Sequence, residues 1–250
     1  MESKCCLSAG VRYGRTVLSD CYCSAPFKVM RPFYDGAQTK VIIMTASAGI
    51  LAGDHYDLRF AIGPGADVVI TGQGYTKVFR TDEDSCRQEI AFSVAEGGAL
   101  RYLPHPVIPF AGSDFSGAAR ADLVRDCVFV YSDIVSCGRV FSGELFQMKR
   151  YRSRLQVYLD GELVFLDNCL LTPASMDYRS IGFFDTYSHM GTLYLYTPRK
   201  RQPLLERIRD LPFAGRFGAT CAKEGILIRA LADSGEEIDR FFHSAADLEL

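Results

Sequence analysis

One pattern written four times over between residues 57 and 166 constrains this chain more than anything else in it. Each copy is a short alternating run, a tight turn rich in Gly or Asp, and a second alternating run. The first copy is residues 57–62, Gly63-Pro64-Gly65-Ala66 and residues 67–71. The second is 90–94, Glu96-Gly97-Gly98-Ala99 and 100–103. The third is 119–123, Arg125-Asp126 and 127–131, and the fourth is 155–159, Asp160-Gly161 and 162–166. The turns recur about 28 to 35 residues apart, inside the roughly 20–50 residue window of stacked architectures. Alternation at period two marks half-buried strands, and two of them around a tight turn read as a β-hairpin. A lone hairpin cannot bury its apolar face. The copies are therefore expected to pile up into an elongated, mainly β body, β-helix or solenoid-like, with two or more packed sheets. A β-sandwich with evenly spaced hairpins is the other arrangement the pattern allows.

At 250 residues the chain fits one all-β domain, so residues 1–250 are read as a single unit with helical elements over about 203–250. With 48% hydrophobic and 23% charged residues it can build a core. A net charge of -2 leaves no basic footprint for nucleic acid. No run nears the roughly 18–20 apolar residues of a membrane span, and the start lacks the layout of a secretory signal. Nine cysteines at irregular spacings suit a reducing compartment better than a disulfide framework. The expectation is a cytoplasmic chain without nucleic-acid or membrane partners. Cys86, Cys127, Cys137, Cys169 and Cys221 read as buried or half-buried thiols.

Val41-Ile42-Ile43-Met44-Thr45 is an apolar run of strand length, expected to be fully buried. The following Ala46-Ser47-Ala48-Gly49-Ile50-Leu51-Ala52-Gly53-Asp54 is a loop whose small residues imply close backbone approach. Residues 11–17 form a short alternating segment, and residues 191–197 and 225–232 read as strands. Residues 204–211, apolar at i, i+1, i+4 and i+7, predict a short amphipathic helix. Ser234 is placed to cap a final helix from Glu236 to about Ala246.

The chain carries no phosphate-cradling loop, dinucleotide fingerprint, nucleophile elbow or His-Glu-x-x-His. Gly63-Pro64-Gly65 joins two strands and reads as a hairpin turn. The four histidines are scattered, with no pair at metal-site spacing. Cys21 and Cys23, one residue apart on one strand face, are either ordinary thiols or a grip for a soft ion. Asp54, His55, His105, Glu144, Asp185 and His189 are the borderline ligands suited to an ion such as nickel, and equally suited to capping loops and solvated turns. The run from Thr71 to Arg80, with Gln73 and Lys77, reads as an interface loop, a ligand-facing rim or a plain connection. Leu103-Pro104-His105-Pro106-Val107-Ile108-Pro109-Phe110 holds three prolines in six positions, which argues against a central strand and for a stiff apolar docking strip.

These segments resemble the UreD/UreH family of urease accessory proteins. The likeness is carried, in order, by Pro26-Phe27-Lys28 with Pro32-Phe33-Tyr34, by Ser47 through Asp54, and by Ile62-Gly63-Pro64-Gly65-Ala66 with Thr71 through Val78. It continues through Leu103 to Phe110 and Gly138-Arg139-Val140 with Gly143-Glu144-Leu145-Phe146. Asp185-Thr186-Tyr187-Ser188-His189 extends it toward the helicobacter-like branch. The family's double glycine before its aspartate stands here as Ala52-Gly53, and its Pro-Gly-Gly loop opening as Ser47-Ala48-Gly49. The resemblance implies a non-catalytic β scaffold with no permanently bound cofactor. It implies a complex with the F-type accessory protein, the G-type GTPase and the urease apoprotein, and transient passage of Ni2+. By the same resemblance Asp54 and Glu144 are the candidate nickel-path residues, and His55, beside Asp54 and of a ligand type suited to nickel, is counted with them. Thr71, Gln73, Lys77, Arg80, Pro104, His105, Phe110 and Arg139 are the candidate partner contacts. The contrasting expectations are a metal-dependent hydrolase or sugar-active enzyme on a β-solenoid, and an adhesive repeat protein with no metal role.

Overall fold

The structure, a computed structural model, describes residues 1–82 and 84–249. Its strands begin with β1 (Glu2–Arg12), β2 (Arg15–Cys23), β3 (Phe27–Val29), β4 (Phe33–Asp35), β5 (Gln38–Thr45), β6 (His55–Ile62), β7 (Asp67–Gly72), β8 (Thr76–Val78) and β9 (Cys86–Val94). They continue with β10 (Ala99–Leu103), β11 (Val107–Pro109), β12 (Asp114–Leu123), β13 (Val128–Ser136), β14 (Arg150–Leu159), β15 (Glu162–Leu171) and β16 (His189–Tyr196). Helix α1 (Arg201–Arg209), β17 (Arg216–Ala222), β18 (Gly225–Ala232) and helix α2 (Gly235–Asp247) complete the order.

Two sheets carry the fold, ordered β15-β14-β12-β9-β6-β1-β2 and β17-β18-β16-β13-β10-β7-β5-β3. In the first, β1, β6, β9, β12 and β14 run parallel, and in the second β5, β7, β10 and β13 do. The chain coils: it lays a strand on one sheet, rounds a corner, lays a strand on the other and returns. The expected β-solenoid-like stack of several sheets with two helices near the C-terminus is what the chain forms. β8, β11 and the bridge from Ile50 to Val78 add a short parallel segment between the sheet strands of successive coils.

The hairpin expectation is corrected for three of the four copies. In the first three, the two runs belong to opposite sheets and pair with the equivalent runs of the neighbouring copy. Gly63-Pro64-Gly65 is therefore a corner between sheets, with Gly65 at φ 67, and not a hairpin turn. Corners stack on corners: the amide of Gly65 donates to Glu96 O at 3.2 Å and that of Ala99 to Ala66 O at 2.8 Å. Only the fourth copy is a hairpin, β14 with β15, and there Asp160 and Gly161 both take positive φ (49° and 84°). Positive φ at both central residues is what a two-residue type I′ turn requires.

The alternation explains the core. Register aligns Leu58 with Ile90, Ala119 and Leu155, and Phe60 with Phe92, Ala121 and Val157. Every second residue of each rung thus lands in one apolar column between the sheets. Phe92 is the hub, with ring centroids 5.6 Å from Phe60, 5.3 Å from Phe129 and 5.2 Å from Tyr102. A second apolar cluster covers the far face of the second sheet, where Val130, Leu193, Leu195 and Ile228 meet Leu205, Ile208, Ile238 and Phe242 of the two helices. A sheet buried on both faces needs nearly continuous apolar strands, which accounts for Val68-Val69-Ile70 and Leu193-Tyr194-Leu195.

Three smaller expectations also change. Residues 11–17 are not one strand but the end of β1, the Tyr13-Gly14 turn and the start of β2. Residues 41–45 alternate, with Val41 and Ile43 buried and Ile42 and Met44 half-exposed. Cys221 is exposed on the edge strand β17. Both predicted helices form, and Ser234 Oγ accepts from the Glu237 amide as the α2 cap. No helix among the described residues is long and apolar enough to cross a membrane.

Candidate functional site

The small-residue loop after β5 packs onto β8 as its composition requires. The Ile50 amide donates to Lys77 O at 2.8 Å and the Phe79 amide to Ile50 O at 2.9 Å. A Cβ on Gly49 would run into Lys77 O and the Phe79 ring, and Gly49 sits at φ 156. This close approach closes one wall of a cavity of about 300 Å³ between the two sheets. Its floor is Leu58, Ile70 and Tyr102, and its rim is Thr45, Ser47, Tyr56, Thr71, Gln73, Lys77 and Gln88, with Pro104 alongside. Four sequence-predicted contact residues, Thr71, Gln73, Lys77 and Pro104, therefore line one concave polar site. The run after β7 is a cavity rim.

The other predicted residues go elsewhere. Asp54 lies just before β6, where Oδ1 accepts from the Met1 ammonium at 3.1 Å and Oδ2 from the Leu51 amide at 2.9 Å. His55 Nε2 stands 3.2 Å from Glu89 Oε2, and its Nδ1 3.3 Å from Arg87 Nη2. Glu144 pairs with Arg139 and accepts from the Ala111 amide at 3.2 Å; the Arg139 guanidinium holds its carboxyl below the usual range. That guanidinium also lies 4.4 Å from the Phe110 ring centroid, and Phe110 packs on Phe79 at 4.8 Å. Arg80 pairs with Asp82 at 2.7 Å. Asp54 precedes β6 and Ala111, the partner of Glu144, precedes β12, two rungs further on, which at ~4.8 Å per strand separates their rungs by about 10 Å. Asp185 pairs with Arg216 at 3.2 Å. Among the described residues, no three His, Cys, Asp or Glu side chains stand together so as to hold a metal ion.

The proline segment is corrected. β11 runs inside the second sheet, pairing with β8 on one side and at Val107 with β13 on the other. The prolines are tolerated because bonding alternates: Pro106 O accepts from Thr76 at 3.0 Å and the Phe110 amide donates to Val78 O at 2.9 Å. Pro109, lacking its N–H, falls on the side where β13 no longer pairs.

Sequence spacing missed one assembly. His105 Nδ1 is 3.6 Å from Asp239 Oδ2 on α2, and His243 Nε2, one helical turn on, is 3.9 Å from Asp239 Oδ1. Burial pushes the Asp239 carboxyl up, against the pull of both imidazoles. The Asp239/His243 spacing of four was the available signal, since i and i+4 share a helix face; His105 arrives only through the fold. His189, near the N-terminus of α2, hydrogen-bonds through Nδ1 with Ser188 Oγ at 2.8 Å, and burial lowers its pKa. At the opposite end of the second sheet a further cavity of about 320 Å³ is lined by Asp67, Arg101 and Glu249. There Arg101, 3% exposed, pairs with Asp67 at 2.7 Å, while burial pushes the Glu249 carboxyl up.

A two-sheet coil with a polar-rimmed cavity between its sheets and two helices packed on the outer face of the second sheet defines a β-solenoid-like class of protein. The UreD urease accessory protein family model matches residues 2–249, and the chain belongs to that family. It is 34% identical over 95% of its length to the urease accessory protein UreD of Acetivibrio thermocellus, covering 93% of that protein. It is 30% identical over 94% to the UreD of Lachnoclostridium phytofermentans, covering 89% of it. It is 32% identical over 90% to the urease accessory protein UreH of Helicobacter pylori strain HPAG1, covering 86% of it.

Proposed function

We propose that this chain is a non-catalytic scaffold of urease maturation, acting in the cytoplasm without a resident cofactor. It docks on the urease apoprotein with the F-type accessory protein and the G-type GTPase, and nickel crosses it as cargo. The observation that carries the maturation role is the family match over residues 2–249. The Thr71 hydroxyl and the Gln73 side-chain amide on the cavity rim support a path for a hydrated ion, since uncharged oxygens hold nickel less firmly than imidazole does. Phe110, braced by Phe79 and capped by Arg139, suits a contact with a partner, since aromatic and Arg side chains are enriched at interfaces.

Co-purification tests the reading. The tagged chain, expressed with urease and the F-type and G-type proteins, should retain all three, and its deletion should leave urease without nickel. Within that complex, Glu144→Gln should keep assembly and reduce nickel loading of urease several-fold. Retention of none of the three, or turnover of a glycoside or ester by the isolated chain, would overturn the scaffold role. Full nickel loading with Glu144→Gln would remove Glu144 from the path.

A further inference from the structure

We infer that Cys5 and Cys23 form an oxidation site, a thiol pair placed to close into a disulfide that staples the N-terminal edge of the first sheet. The two residues sit opposite each other on antiparallel β1 and β2, and their Sγ atoms are 3.2 Å apart. Just outside them the Ser24 amide donates to Lys4 O at 2.9 Å. Hydrogen-bonded and non-hydrogen-bonded positions alternate along such a ladder, so Cys5 and Cys23 occupy the non-hydrogen-bonded kind. There Cα atoms approach to about 4.5 Å and side chains come closest, at the near end of the roughly 4.4–6.8 Å that a disulfide spans.

Access is graded. Cys5 is fully buried, Cys23 half-buried, and Cys21 exposed two residues away on the same strand. Of the two paired thiols, a low-molecular-weight disulfide therefore meets Cys23 before Cys5. The Cys23 thiolate attacks one sulfur of that reagent, forming a mixed disulfide and expelling one thiolate. The Cys5 sulfur, giving up its proton, then attacks the Cys23 sulfur and expels the second. Two protein thiols lose two electrons and two protons, and the reagent leaves as two thiols. Burial, helped by the neighbouring Cys23 sulfur, pushes the Cys5 thiol far above its ordinary value. The second step is slow at neutral pH and quickens as pH rises. Oxidation pins β2, whose continuation through Ser24 carries Phe27 to the cavity wall beside Tyr56, 4.8 Å between rings.

The test is incubation of the purified full chain with glutathione disulfide at pH 7 and pH 8.5, followed by alkylation and peptide mapping. The exposed Cys221 reports that the reagent has acted. A Cys5–Cys23 linked peptide, a mass lower by two hydrogens, faster closure at pH 8.5 and a rise of several degrees in Tm support the site. Cys21→Ser should keep the link, and the half-buried Cys23→Ser should abolish it while leaving the chain folded. If Cys5 and Cys23 stay alkylatable after Cys221 is fully converted, or if the link forms to Cys6 or Cys21 instead, the inference fails.

Discussion

Asp133 and Gly49 show at single positions how the stack limits its residues. Asp133 points between the sheets, where its Oδ1 accepts the Tyr151 hydroxyl at 3.0 Å and burial pushes its carboxyl up. A raised folded-state value makes the group fully stabilising only below the ordinary carboxylate value, about 3.9. That contribution fades as pH rises through the raised value. Asp133→Asn, which keeps an acceptor for Tyr151, should gain stability over the parent chain as pH rises above about 4. Urea unfolding at several pH values measures this, and a difference independent of pH would refute the linkage. Gly49→Ala should cost roughly 1–3 kcal/mol in the same assay, because the new methyl meets backbone where Ile50 and Lys77 pair. The loop's need for small residues was legible in the sequence; which strand it would press against was not. Glu144 and its partner Arg139 stood together in one motif, whereas the partner of Asp54, the Met1 ammonium, lies on a path no short motif displays.

Among the elements, β15 is the most exposed to trouble. It closes the first sheet, paired only with β14, and turns Leu163, Leu166 and Leu170 to solvent at 42%, 52% and 45% exposure. An apolar strand with a free edge is a template for unwanted pairing. Leu166→Lys with Leu170→Lys should lower light scattering on concentration while shifting Tm little, and undiminished scattering would place the aggregating surface elsewhere. At this scale the sequence separated helices from strands well, because caps and apolar periods are local signals. It misassigned three corners as hairpins, although the distinguishing mark was present. Asp160-Gly161 can take positive φ at two successive residues, whereas the first corner carries Pro64 just before its single left-handed glycine.

For the whole molecule, the rungs share one core, so damage to one column should be felt throughout. Phe92 touches aromatic rings from both sheets, and Phe92→Ala should destabilise by about 3–5 kcal/mol. A single cooperative unfolding transition at lower denaturant would bear this out, and two separated transitions would show rungs that unfold independently. The sequence by itself determined that the chain is mainly β with regularly recurring turns, and left a solenoid-like stack and a sandwich both open. Period-two alternation fixes which side chains face inward, and the recurring turns fix how often the chain reverses. Only the tertiary structure decided which strand is whose neighbour, because side-chain alternation reads the same whether backbone hydrogen bonds go to the next run or to the next coil. For that reason the cavity rim, the meeting of His105 with Asp239 and His243, and the opposition of Cys5 to Cys23 became visible only once the coils were laid on one another.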